Sequence, residues 1–123
     1  MIGSPCPCGS ELAYDACCGP LHRGARPAAT AVELMRSRYA AYALGKADYV
    51  FRTWHPRTRP ADLSLAGGPS WTGLVIHGYG EDWVDFTASY VGADGGPGAL
   101  RERSRFARRA GRWLYLDGEI STT

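Results

Sequence analysis

Lysine is nearly absent from this chain: of 14 basic residues, Lys46 is the single lysine and the rest are arginine. With abundant Ala and Gly, that arginine excess reads as compositional bias, and a net charge of +2 is too small to mark a polyanion binder on its own. No apolar run approaches eighteen residues, which excludes a membrane-spanning helix. The start Met1-Ile2-Gly3-Ser4-Pro5 has neither the basic nor the apolar stretch of a secretory leader, so a reducing, cytoplasmic setting is expected. No Cys-x-x-Cys pair occurs, which removes the thioredoxin type of redox site. Internal repeats are missing too. What remains is 123 residues at 45% hydrophobic content with four Trp and seven Tyr. That is enough for one domain plus a small appendage, with an aromatic core of β-rich or mixed kind.

All four cysteines lie in the first twenty residues, as Cys6-Pro7-Cys8-Gly9-Ser10 and then Cys17-Cys18-Gly19. Thiols this dense predict one tetrahedral Zn²⁺ site, because zinc favours thiolate sulfur at about 2.3 Å in a closed shell of four ligands. Gly9 lets the backbone turn beneath the ion, and N–H groups of such a turn donate to the sulfurs. Gly19-Pro20 is expected to stop the element after the last ligands. Disulfides would need an oxidising compartment, and a Cys17–Cys18 bridge would close a strained ring. His22, four residues beyond Cys18, is the alternative fourth ligand. Four thiolates leave no position open for water, so the ion is structural rather than catalytic. A knuckle of about twenty residues has no core of its own, and metal binding would supply its folding free energy.

Residues 23–29 read as a linker. Thr30 then opens a helix, with Glu33 three residues on completing a capping box. Met35, Tyr39 and Tyr42 form a stripe at helical spacing, and Gly45 is the stop. Asp48 is the expected cap of a short second helix running through Trp54, which Pro56 ends. Residues 57–70 are loop. Trp71 to Tyr79, Trp83 to Val91, Leu100 to Ala107 and Arg112 to Asp117 read as strands, with turns at Asp94-Gly95-Gly96-Pro97-Gly98 and Ala110-Gly111. Val84, Phe86, Ala88 and Tyr90 alternate with Asp85, Thr87 and Ser89. Leu100, Glu102, Ser104 and Phe106 alternate with Arg101, Arg103 and Arg105. Helices followed by an antiparallel meander predict an α+β fold, with a curved antiparallel sheet packed on the N-terminal helices.

These residues carry a resemblance. Cys6, Cys8, Gly9, Ser10, Tyr14, Cys17, Cys18 and Gly19 resemble the SEC-C motif, the zinc knuckle at the C-terminus of the SecA translocation motor. Leu34-Met35-Arg36-Ser37-Arg38-Tyr39, Asp48-Tyr49, Thr53-Trp54-His55-Pro56, Trp71-Thr72-Gly73-Leu74 and Glu102-Arg103-Ser104-Arg105-Phe106 are similar to the YchJ family of bacterial proteins. The resemblance covers nearly the whole chain. It implies a SEC-C-like knuckle over 1–22 and, over 30–123, a cone of nuclear-transport-factor-2-like (cystatin-like) fold. It carries no reaction with it. In the SecA knuckle, lysines beside the tyrosine dock on an acidic face of the SecB chaperone. Here Glu11, Leu12, Ala13 and Asp15 stand in that loop, so the metal role is expected to transfer and that docking is not.

A cone of this kind holds its site at the open end. Glu102, in phase with the inward residues of its strand, is a candidate general base, with pairing to Arg38 as the plain alternative. His55, His77 and Asp85 are further catalytic candidates, although Asp85 sits on the polar face of its strand. Arg38, Tyr39, Trp54, Tyr90 and Ser104 are the expected pocket residues. Arg101, Arg103, Arg105, Arg108, Arg109 and Arg112 form a basic strip that nucleic acid would use, against a solvated strand face. The favoured reading is a zinc-stabilised adaptor or binding module with a protein partner. The other is a small cofactor-free enzyme of isomerase, dehydratase or hydrolase type. Whether the cone is hollow, or filled by Met35, Tyr39, Phe86, Tyr90 and Phe106, separates them.

Overall fold

Thr30 sets where the long helix begins. Its side-chain oxygen accepts from the Glu33 amide at 3.1 Å, and the Glu33 carboxylate reaches back to the Ala29 amide and to Arg26. In the computed structural model, which describes residues 4–121, this helix (α2) spans Ala31–Leu44 and ends on Gly45 at φ 74°. It follows a short α1, Gly19–His22, and precedes α3, Ala47–Arg52. The expected knuckle and cone boundaries at residues 1–3 and 122–123 lie outside the described residues. Two local expectations need correction. Gly19-Pro20 starts α1 rather than stopping an element, with the proline in the first turn where its missing N–H costs nothing. The second helix begins after Lys46, not at Asp48, and stops before Trp54. There Thr53 turns its hydroxyl onto the Tyr49 carbonyl at 2.6 Å, and the chain leaves to bond with the sheet.

The sheet is a four-stranded antiparallel meander in the order β1-β2-β3-β4: Ser70–Tyr79, Trp83–Val91, Pro97–Arg109 and Arg112–Ser121. β3 and β4 run longer than the alternation alone suggests, because Pro97 and Gly98 pair with Val91 and Tyr90, and Gly118 to Ser121 pair with Ser104 to Arg101. Ala110 and Gly111, both at positive φ, make the two-residue turn that suits a twisted hairpin. Shifts of register at Trp71/Gly73, Ile76/Gly78 and Arg105/Phe106 bend the sheet.

The sheet curls around α2. Leu34, Met35 and Tyr39 pack with Val84, Phe86, Ala88, Phe106 and Trp113 into the main core. The opposite side of α2 is covered as well: Ala41 packs with Leu21, Tyr49 and Val50. A helix buried nearly all round needs no polar stripe, and Ser37 is accommodated by bonding to the Leu34 carbonyl and the Tyr49 hydroxyl, both at 2.8 Å. After α3 the chain is stitched to the edge of β4: Tyr115 N–H donates to Thr53 O at 2.8 Å and His55 N–H to Tyr115 O at 2.7 Å. This closes one side of the cone and brings Trp54 to it.

Candidate metal centre and cone cavity

The knuckle is a small hairpin. Cys6 N–H donates to Leu12 O at 2.8 Å and Tyr14 N–H to Ser4 O at 2.9 Å, with Gly9 at φ 83° in the turn. A single turn of 3-10 helix, Tyr14–Ala16, carries the chain to Cys17 and Cys18. The sulfurs of Cys6, Cys8, Cys17 and Cys18 come within 4.8 Å of one another. Cys8 is fully buried, and Cys17 is the one partly exposed. Backbone N–H groups of Cys8 and Cys18 are directed at the Cys6 sulfur, and Ser10 bonds to Cys17 Sγ at 3.1 Å. The Cys18 thiol bonds to the Cys8 sulfur, which holds the Cys8 pKa down to about 4. The same contact, together with burial, pushes the Cys18 thiol up. Cys6, Cys8 and Cys18 therefore do not ionise together unaided. A divalent cation at their centre would replace the protons, and this donor set fits a soft, tetrahedral ion.

His22 stands apart from that group. Its Nε2 bonds the Ser37 carbonyl at 2.8 Å and its Nδ1 the Tyr14 hydroxyl at 2.6 Å. Burial pushes its pKa down, so the ring is neutral, with Nε2–H donating and Nδ1 accepting. Both ring nitrogens are engaged, and Cys18 lies with the other sulfurs. The knuckle also docks firmly on α2. Arg36 donates to Cys8 O at 2.8 Å, and Ala40, fully buried, packs with Cys6, Cys8 and Cys18.

The cone is hollow. A cavity of about 280 Å³ lies between α2 and the inner sheet face. Met35, Tyr39, Phe86 and Phe106 are among its walls rather than its filling, and so are Trp71 and Leu100. Of the expected pocket residues, Arg38, Tyr39, Trp54 and Ser104 line it. Tyr90 does not: it packs against Trp71, ring centroids 5.4 Å apart, nearer the β2–β3 turn.

Arg38 and Glu102 are both buried, at 6% and 9% exposure, and both line the cavity, yet they form no ion pair. Arg38 Nη1 donates to Val50 O at 2.8 Å and Thr53 Oγ1 at 2.7 Å. Its guanidinium carbon lies 4.6 Å from the Tyr115 ring centre and 5.2 Å from that of Trp54. Glu102 Oε2 instead accepts from Ser104 at 2.5 Å and from the Tyr115 hydroxyl at 3.0 Å. Tyr115 thus stands between the two charges, and burial and the nearby carboxylate push its own pKa up. Sequence reasoning missed it. The signal was the in-phase pair Trp113 and Tyr115 on the last strand.

The other candidates fall outside the cavity. Asp85 is on the outer face, bound by Arg101 at 3.1 Å, which holds its pKa down. His77 Nε2 bonds Thr87 Oγ1 at 2.7 Å on the same exposed face. His55 Nδ1 accepts from the Arg57 amide at 3.1 Å in an exposed turn. The basic strip is largely engaged: Arg103 also reaches Asp85 and stacks over Trp83, Arg105 binds Asp117, and Arg108 stacks over Trp113.

Comparison with known proteins agrees with this architecture. The model of the YchJ middle NTF2-like domain matches residues 30–118, and that of the SEC-C motif matches residues 4–20. A UPF0225 protein of Deinococcus radiodurans is 61% identical over 92% of this chain and 87% of its own. One from Streptomyces coelicolor is 52% identical over 98% of both. Among solved structures, a SEC-C motif containing protein from Rhodopseudomonas palustris superposes with a TM-score of 0.85 at 37% identity, covering 97% of this chain and all of that one. Another from Psychrobacter arcticus gives 0.75 at 28% identity, covering 98% and 84%. With the cysteine cluster at one end and the hollow cone behind it, the chain belongs to the YchJ (UPF0225) family.

Proposed function

We propose that this protein is a cytoplasmic binding module. One structural Zn²⁺ on Cys6, Cys8, Cys17 and Cys18 orders the knuckle, and the cone receives a small ligand. The carrying observation is the cavity itself, which holds two buried, oppositely charged side chains that do not neutralise each other directly. A filled core would replace such groups by apolar ones at little cost, so their presence in a hollow supports recognition. Binding is favoured over catalysis because Glu102 is the only one of the four candidate acids and bases that faces the cavity. One of its oxygens already accepts two hydrogen bonds. The enzyme alternative needs a second proton-transfer group there. Burial pushes up the pKa values of the lining tyrosines Tyr39, Tyr42 and Tyr115, which suits them to hydrogen bonding rather than proton transfer.

Zinc is the ion because four thiolates suit it and leave no open position. Elemental analysis of freshly purified, reduced protein should give one zinc per chain; absence of stoichiometric metal would remove the knuckle from this reading. On its outer surface the knuckle presents Leu12 at 54% exposure, flanked by Glu11 and Asp15, and this is where a protein partner would dock. For the cone, a fragment library titrated against labelled protein should shift the indole N–H resonances of Trp54 and Trp71. A library that moves neither would leave the cone without a binding role.

A further inference from the structure

We infer that the cone takes an uncharged, flat aromatic molecule with a hydrogen-bond acceptor and a donor side by side on one edge, of the cyclic-amide type. This rests on the reading of the cone as a ligand site and specifies its chemistry. Two observations carry it.

The first is the unused bonding capacity at the polar end. Arg38 spends Nη1 on Val50 and Thr53, and the Tyr42 hydroxyl approaches its guanidinium, which still leaves N–H donors to spare. The buried Trp54 indole N–H is likewise without a partner. Glu102 holds two donors on Oε2 and none on Oε1. Arg38 and Glu102 both line the cavity with bonding capacity to spare, so a ligand carbonyl for Arg38 and a ligand N–H for Glu102 would complete the site.

The second is charge balance. Arg38 stays a cation even when buried, and Glu102 supplies the one compensating formal charge on the cavity wall. An anionic ligand would leave one negative charge uncompensated in a mostly apolar hollow, and a cationic ligand one positive charge. A neutral ligand disturbs nothing. The rest of the wall sets shape and size. Trp71, Phe86, Phe106 and Tyr39 offer aromatic surface. A volume of about 280 Å³ corresponds to roughly nine waters, hence a molecule of on the order of ten heavy atoms.

Three bicyclic probes separate the possibilities: 2-quinolone (neutral lactam), naphthalene (no polar edge) and quinoline-2-carboxylate (anion). Each is titrated into the intact, zinc-loaded protein and followed by the Trp54 and Trp71 indole resonances. The lactam should bind about tenfold or more tightly than either of the others. Glu102→Gln removes the negative charge while keeping the shape, so Arg38 then needs an anion, and the carboxylate should overtake the lactam. Equal or tighter binding of naphthalene or the carboxylate to the native protein overturns the ligand class but leaves the cone a binding site. No shift with any of the three overturns both. The ranking on native protein decides the matter even if the variant fails to fold.

Discussion

His22 Nε2 lies 2.8 Å from the carbonyl oxygen of Ser37, and this bond ties the segment after the knuckle to the middle of α2. The ring is also held by Tyr14, and it packs 4.6 Å from the ring of Tyr49. Burial lowers its pKa from the ordinary 6.5. The unfolded chain therefore binds a proton below about 6.5 that the folded chain resists. The ring's contribution is full above that pH and is lost as pH falls toward the depressed folded value. His22→Asn should cost about 1–3 kcal/mol at pH 8 through lost bonds and packing. The gap in Tm between native protein and variant should narrow as pH falls toward 6, with zinc content checked at each point. A gap that stays constant would mean that His22 does not titrate with folding.

Metal removal should be felt beyond the knuckle. Arg36 grips the Cys8 carbonyl, and Ala40 of α2 packs directly on the cysteines, so loss of the proposed ion would unsupport one side of the long helix. Cys8→Ser, or chelation of the native protein, is expected to lower the Tm of the cone by about 5 °C or more, equivalent to at least ~1–2 kcal/mol. Amide exchange should rise along α2 near Arg36 and Ala40 as well as through residues 4–22. Protection unchanged in α2 would make the knuckle an independent unit.

What was legible in the sequence was what short-range chemistry decides. Thr30 and Glu33 mark the start of α2 because a cap is a local bond. Alternation around Phe86 and Phe106 marks the inner sheet face because side-chain direction has a period of two. The same periodicity turns Glu102 inward. The partners of these residues were not legible. Arg38 anchors its Nη1 on Val50 and Thr53 across the α2–α3 turn, which turns it away from an ion pair with Glu102. Tyr115 gained its role from a bulge at Arg105/Phe106 and from the bridge to Trp54, both consequences of how distant segments meet. His22 has the residue type and spacing of a metal ligand, and the Ser37 carbonyl and the Tyr14 hydroxyl together withdraw it.

The arginines of β3 looked like an anion-binding strip, and three of them are paired with carboxylates across the sheet. Arg101 and Arg103 share Asp85 at 3.1 and 3.8 Å, and Arg105 takes Asp117 at 2.6 Å. These pairs are exposed and screened, so Arg103→Ala combined with Arg105→Ala should leave Tm nearly unchanged. Single-stranded RNA should bind weakly at physiological salt, with little difference between native protein and double variant. A steep fall of affinity with salt that the double variant abolishes would restore the strip as a nucleic-acid surface.

Gly118 tests whether the seat of Glu102 is built into the backbone. A Cβ at this position would run into the Glu102 carboxyl group, which lies across the strand. Gly118 has no positive φ, so the backbone itself would accept alanine, and Gly→Ala in a strand is otherwise mildly stabilising. Here the overlap should win. Gly118→Ala is expected to destabilise by about 1–3 kcal/mol, because Glu102 must leave Ser104 and Tyr115 or the strand must shift. Gly73→Ala, with nothing within 4 Å of its Cβ, is the control and should be neutral or slightly stabilising. In a Glu102→Ala background, Gly118→Ala should lose most of its cost, giving a coupling energy of about 1 kcal/mol or more in a double-mutant cycle. Additive effects would show that the glycine serves the strand alone and that the carboxylate is positioned by its hydroxyl partners.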